Sequence, residues 1–360
     1  MTSLTFHAGP AALSRLRTHG LQAADVGIVP AAAGGPKGLI FQALDQFMFG
    51  AWLPGAPRER TLIGSSIGAW RMAAACQRDP VSAFARLGRL YSNQRYTAKP
   101  SQREIDAVCQ DLLANFVGGH EQDILAHPHY RLHLLSNRGR NALAAAGGRR
   151  SERRGFALAA MRNLVGRRAL AGMVERVVLG DPRGGAGWLR EPFDHFTTHF
   201  AALTADNLAP ALLASGSLPL IMQPVRDVPS APPGNYWDGG IIDYHLALPY
   251  ARQAQDLVLY PHFGEHIVPG WLDKAMPWRR AARGAGRAWL DNVLIVAPSP
   301  SFLQRLPRAK LPDRKDFTFF GLNHDARIDA WQRAIGEGER LRDDFAAFVD
   351  RPDLARVLPI

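Results

Sequence analysis

The chain has 360 residues, of which 47% are hydrophobic and 21% charged, with two cysteines and a formal net charge of +11. That is a globular composition, with room for one large α/β domain or two smaller ones. It excludes a disulfide framework, and Cys76 and Cys109 show no metal-type spacing. No stretch approaches the roughly 18 consecutive apolar residues that span a bilayer. The start, MTSLTFHAGP, lacks the apolar run of a secretory leader, so a cytoplasmic protein is expected. The positive charge is mostly arginine spread along the chain, without zinc-finger spacing, an RNP-type aromatic motif or a helix-turn-helix. No nucleic-acid partner is therefore expected, while peripheral contact with an anionic membrane surface stays open.

Residues 10–21 predict an amphipathic helix, with Pro10 in the first turn and Gly20 near the end. Residues 25–29 form a short apolar strand that runs into Pro30-Ala31-Ala32-Ala33-Gly34-Gly35-Pro36-Lys37-Gly38. A helix over 39–49 follows, with Ile40, Ala43, Leu44 and Phe47 on one face. The stretch TLIGSSIGAWRM at 61–72 then reads as a strand, a tight turn Gly64-Ser65-Ser66-Ile67-Gly68 and a small-residue helix. This is the G-x-S-x-G pattern of a nucleophile elbow, with Ser66 at the point of the turn. The resulting βαβα unit implies two neighbouring parallel strands. Their glycine-bearing turns must lie side by side, so the Gly34 and Gly35 N–H groups can face the Ser66 hydroxyl, as an oxyanion requires. A phosphate-binding loop is disfavoured, because GGPKG lacks the P-loop spacing; a plain tight turn is the other reading.

Further along, 80–118 predicts helices with charged faces and 130–136 a strand in which His133 is a strand residue rather than a ligand. The basic segments 147–154 and 162–168 read as solvated loops and helix ends, and 173–179 as a strand before a glycine-rich turn at 184–187. His195 and His199 have i,i+4 spacing but lack the glutamate of a zincin motif, so no metal is expected. Residues 204–214 predict a helix ending in the small-residue kink ASGSLP at 214–219. A proline-rich loop at 226–235 leads to a second sharp turn, Asp238-Gly239-Gly240. Strands are expected at 257–260 and 293–297, and an amphipathic helix at 336–349. Between 267 and 290, Trp271, Trp278 and Trp289 alternate with Lys274, Arg279, Arg280, Arg283 and Arg287. We expect an amphipathic helix there, either packing its tryptophans inward or lying on a membrane surface. No linker is visible, and a single domain over 1–360 is the economical reading.

A serine hydroxyl needs a base to take its proton. One solution is Ser-His-Asp, with Asp238 followed by His245, His262 or His266. Against it, only one βα unit precedes Ser66, whereas an α/β-hydrolase sheet normally lays down several strands before its nucleophile. The other solution is a carboxylate that contacts the serine directly.

Three separated motifs favour the second. Ala33-Gly34-Gly35-Pro36-Lys37-Gly38 resembles the oxyanion loop of the patatin-like phospholipase family, Gly64 to Gly68 its elbow, and Asp238-Gly239-Gly240 its D-G-[GA] motif. ASGSLP is similar to the small-residue segment upstream of the acid. The resemblance covers about residues 25 to 250, with 251–360 adding C-terminal strands and helices to the same domain. It implies a three-layer α/β/α fold with a mainly parallel central sheet. It implies Ser66 as nucleophile, Asp238 as general base and Gly34 and Gly35 as oxyanion donors, supported by Lys37, Gly38, Gly64, Gly68, Gly239 and Gly240. No metal or cofactor is implied, and the substrate would be an acyl lipid or another acyl ester. There are two departures: Ala33 replaces the first glycine of the triplet, and Ile241-Ile242 follow the D-G-G motif where Asn and Pro are frequent. Asp243 and His245 either tune Asp238 or pack; Lys37 either holds the loop near an anionic group or is solvated. A Ser-His-Asp esterase, an acyltransferase and a non-catalytic lipid-binding protein are the rival functions.

Overall fold

The sheet explains how residues far apart in sequence reach one point. The computed structural model describes residues 2–144 and 148–360. Eleven strands form one sheet: β1 (Leu4–Ala8), β2 (Val26–Ala31), β3 (Arg60–Ser65), β4 (Tyr130–Gly139), β5 (Val174–Gly180), β6 (Thr198–Ala202), β7 (Val225–Arg226), β8 (Asn235–Asp238), β9 (Leu257–Pro261), β10 (Val293–Pro298) and β11 (Val357–Pro359). The main path runs β11-β1-β10-β9-β2-β3-β4-β5-β6, and β8 pairs with β4 and β7. The five neighbours β10, β9, β2, β3 and β4 are parallel throughout. Antiparallel pairing occurs where β1 meets β10, β5 and β8 meet β4, and β7 meets β8.

Every residue of β2, β3, β9 and β10 is buried. β2, β9 and β10 are continuous apolar runs because helices or turns cover both faces of a parallel sheet. The two-residue period divides them between two cores. Val29, Leu62, Leu134, Leu259 and Leu294 face one core, together with Ile67 and Trp70 of the elbow helix. Ile28, Ile63, Leu135, Val258 and Ile295 face the other.

Most expected elements are present, and three differ. The 39–49 helix is split into a 3-10 segment Gly35–Phe41, an α-helix Gln42–Phe47 and a π turn Met48–Trp52. Of the two basic segments expected as solvated loops and helix ends, Gly147 lies outside the described residues, 148–154 is helical throughout, and 162–168 holds the end of helix Gly148–Val165 and the start of helix Arg167–Leu170. Residues 267–290 are no amphipathic helix. They are four short 3-10 turns, Trp271–Asp273, Pro277–Arg279, Ala281–Arg283 and Ala285–Leu290. Nor do all the tryptophans pack inward, since Trp278 is 65% exposed. No helix among the described residues is long and apolar enough to cross a membrane.

Candidate functional site

β4 is the template of the site. One edge of β4 pairs with β5 over residues 133–139, and the other pairs with β3 over 130–135 and then with β8 over 136–138. β3 and β8 therefore lie end to end on the same edge, running towards each other. Ser65 stands opposite Leu135 and Asp238 opposite Ser136, so the two strand ends meet at adjacent positions of β4. Ser66 leaves the first and Asp238 closes the second. The Ser66 Oγ donates to Asp238 Oδ2 at 2.7 Å, and both residues are buried.

Each partner is fixed by more than this contact. Ser66 has φ 57° and ψ −128°, a backbone conformation that costs a non-glycine residue on the order of 1–3 kcal/mol. Its N–H donates to Ser215 Oγ at 2.9 Å, and Ser215 Oγ donates to the Leu135 carbonyl at 2.6 Å. The flanking glycines are required by close approach: a Cβ at Gly68 would stand 1.9 Å from the Ala31 carbonyl oxygen, and one at Gly64 2.5 Å from Ala69 N. Asp238 Oδ1 accepts from the Gly240 N–H at 2.7 Å. Its N–H donates to the Ser217 carbonyl at 2.8 Å, and its own carbonyl accepts from Asn137 Nδ2 at 2.7 Å. Gly239 leaves no room for a side chain, because a Cβ there would meet the Leu135 carbonyl at 2.2 Å.

The glycine loop lies beside this pair because β2 and β3 are parallel neighbours, with Ala31 opposite Gly64. Ala33 N–H is occupied by the Tyr244 carbonyl at 2.9 Å, whereas neither Gly34 nor Gly35 N–H donates to a protein acceptor among the described residues. Gly34 borders the same cavity as Ser66 and Asp238, and Gly35 takes the left-handed φ of 58°. Behind the loop, buried Arg71 of the elbow helix holds buried Asp45 of helix Gln42–Phe47 with two 2.8 Å hydrogen bonds. The Arg71 stem also passes Gly38, where a Cβ would lie 3.3 Å from Cδ. Loop and elbow are thus tied together from below.

The electrostatics suit a buried base. Burial raises the Asp238 carboxyl above its ordinary value, opposed by Arg314 and by the hydrogen bonds from Ser66 and Gly240. The histidines of the rival triad stand apart: His245 Nδ1 is engaged with the His266 carbonyl and the Val268 N–H, and His262 Nδ1 with Gly264. Burial lowers both, His262 to about 4. Among the described residues no histidine hydrogen-bonds Ser66 or Asp238. Asp243 does not tune Asp238 by contact; it forms a buried bidentate pair with Arg176 at 2.7 and 2.9 Å.

The model of the patatin-like phospholipase family matches residues 53–248, more than half of the chain. The chain belongs to the patatin-like phospholipase family. Membership supports lipid acyl hydrolysis as its general activity. Among curated proteins and solved structures, none matches the chain. The patatin-like segment contains Ser66, Ser215 and Asp238, and leaves the Gly34-Gly35 loop outside.

Three polar neighbours of the patatin-like site escaped sequence reasoning. Ser215 was visible only as part of ASGSLP. Arg314 borders the Ser66 cavity from a C-terminal loop, and Lys274 from the broken 267–290 segment. Lys37 borders it too, its Nζ 4.8 Å from the Phe263 ring centroid, and burial lowers its pKa. No group of His, Cys, Asp and Glu among the described residues could hold a metal ion.

Proposed function

We propose that the chain is a single-domain serine hydrolase that cleaves carboxylic ester bonds of lipids through an acyl-Ser66 intermediate, with Asp238 as its base. The observation that carries the reading is the 2.7 Å hydrogen bond from Ser66 Oγ to Asp238 Oδ2. Asp238 takes the hydroxyl proton as Oγ attacks the ester carbonyl carbon, and the oxyanion receives the N–H groups of Gly34 and Gly35. On collapse the bond to the alcohol oxygen breaks, and Asp238 returns the proton to that oxygen. Water then attacks the acyl-serine while Asp238 takes its proton, which restores the serine. A carboxylate raised by burial is a better base than one in water, which favours this role.

We also propose that the protein works at lipid surfaces. Trp278, Leu164 and Val165 are 65%, 66% and 85% exposed, respectively. Buried Asp273 binds Asn163, Arg167 and Arg279 at 2.8–2.9 Å and so holds the Trp271–Trp278 segment against the end of helix Gly148–Val165. Large apolar side chains held out in this way suit insertion among acyl chains.

The nucleophile is tested by fluorophosphonate labelling of the wild type, Ser66→Ala and Asp238→Asn. Wild type should label, Ser66→Ala should not, and Asp238→Asn should label at least 100-fold more slowly. Labelling that survives Ser66→Ala would overturn the assignment.

A further inference from the structure

A cavity of about 350 Å³ lies on the sheet face of Ile63 and Leu135, away from Ser66. None of the residues that line it borders the cavities beside Ser66. Its position follows from strand register. His133 of β4 stands between Ile63 of β3 and Gly180 of β5. The Asp181 N–H, directly after β5, donates to the Leu132 carbonyl at 2.9 Å, so the turn that follows lies towards the end at which β3 and β4 begin. Ser66 leaves β3 at the opposite end.

The turn is built over the His133 ring. Gly184 and Gly185 take φ of 138° and 94°, a backbone region that favours glycine. The Gly185 carbonyl accepts from Thr61 Oγ1 at 2.7 Å and from Trp188 Nε1 at 3.0 Å, which fixes the turn on β3. A Cβ at Gly180 would stand 2.1 Å from His133 Nδ1, and one at Gly185 2.8 Å from Nε2, so both glycines give way to the imidazole. His133 is 2% exposed, yet neither ring nitrogen has a hydrogen-bond partner among the described residues. Burial lowers its pKa to about 4, so near neutrality the ring offers one N–H donor and one bare acceptor. A leucine or valine would fill the position without leaving two polar atoms unmet.

The rest of the lining supplies apolar walls, from Val178, Ala186 and Phe200, and one uncovered cation. The one acid among the lining residues, Asp181, is already held by Arg183 at 2.5 and 2.9 Å. Arg190 lies over the Phe200 ring, its guanidinium carbon 4.7 Å from the centroid, and forms no ion pair among the described residues. The volume far exceeds the share of a single water, about 30 Å³. An uncovered guanidinium suits a carboxylate. An imidazole with both nitrogens unmet suits a hydroxyl, which donates to one and accepts from the other. We propose that the cavity is a second binding site, for a small carboxylic acid that carries a hydroxyl at its other end. The hydroxyl pairs with a His133 ring nitrogen and the carboxylate with Arg190, while the body of the molecule lies against Phe200 and Val178. This assignment does not depend on the chemistry at Ser66.

The test is calorimetric binding of para-hydroxybenzoate and para-hydroxyphenylacetate, of benzoate and phenylacetate, which lack the hydroxyl, and of para-cresol, which lacks the carboxylate. At least one hydroxy acid should bind the wild type about tenfold more tightly than its parent acid and than para-cresol. Arg190→Gln should cut the advantage over para-cresol about fivefold, and His133→Leu the advantage over the parent acid by a similar factor. Lys274→Gln, beside Ser66, should change neither. Arg190 is exposed, so its replacement tests the site even where His133→Leu does not fold. Failure of both hydroxy acids to bind the wild type at about 5 mM would overturn the proposal, as would equal binding of each to its parent acid. So would binding that Arg190→Gln leaves intact. Binding that is lost in Lys274→Gln would place the acids in the basic cavity beside Ser66 and end the assignment to His133.

Discussion

The N–H of Ser66 donates to Ser215 Oγ at 2.9 Å, and through that hydroxyl the elbow is anchored to the carbonyl of Leu135 on β4. The contact spans 149 residues of sequence and joins the point of the turn to helix Ala205–Gly216. It gives a buried N–H its acceptor and holds Ser66 at φ 57°. Ser215→Ala should therefore act in two ways. An orphaned buried N–H costs about 1–3 kcal/mol of stability, readable in a urea melt. The serine, freer to leave its strained conformation, should lose kcat by about tenfold with KM little changed, because Ser215 lies behind the reacting oxygen. Lower stability with unchanged kcat would limit Ser215 to a structural role.

The exposed rim makes a separate prediction about lipid surfaces. Trp278 presents 65% of its surface to solvent beside the exposed end of helix Gly148–Val165. Inserting such a side chain among acyl chains is worth roughly 1.5–3 kcal/mol, which corresponds to tenfold or more in affinity. Trp278→Ala together with Val165→Ser should weaken co-sedimentation with anionic vesicles at least tenfold. Arg279 is a poor choice for charge reversal, since it is tied to Asp273 at 2.9 Å and its loss would disturb the fold. Vesicle binding that is indifferent to the double substitution would remove this face from the proposal.

The site was legible in sequence where the backbone itself imposes residue types. Gly64 and Gly68 admit no Cβ, Gly35 needs φ 58°, and Gly239 faces a carbonyl, so these glycines mark all three turns. The parallel pairing of β2 with β3 followed from the βαβ connection. Where β9 and β10 would insert was not legible. They pass to the other side of β2, and nothing local sets that order. The 267–290 segment misled because its tryptophans and arginines mimic a two-faced helix. Pro277 removes a helical N–H, and Gly284 and Gly286 weaken the rest, so turns result. In 148–165 the error ran the other way. The basic run looked solvated, but its helix packs on Leu143 at Gly155, where there is space for no more than a hydrogen. Arg314 and Lys274 carried no motif, since only the folded chain brings them to Ser66.

Asp238, the base of the proposed reaction, carries a cost to stability. Burial holds its carboxyl above the ordinary value of 3.8, with Arg314, Ser66 and Gly240 only partly offsetting that. Between 3.8 and the raised value the folded state binds more protons than the unfolded chain, so this residue makes stability fall as pH rises through that window. Above the window the folded protein carries the full penalty of a buried carboxylate. Asparagine is nearly isosteric; its Oδ1 can still accept from the Gly240 N–H, and its amide can face Ser66 Oγ. Asp238→Asn should therefore abolish ester hydrolysis and, at pH 7, raise stability by about 1 kcal/mol. The gain should shrink as pH falls through the raised value, because the wild-type carboxyl takes up its proton there and the penalty disappears. Urea melts of both proteins at pH 4 and pH 7 check this directly. A variant less stable than wild type at pH 7 would mean that the hydrogen bonds to Asp238 outweigh its burial, and that the fold, as well as catalysis, depends on the charge.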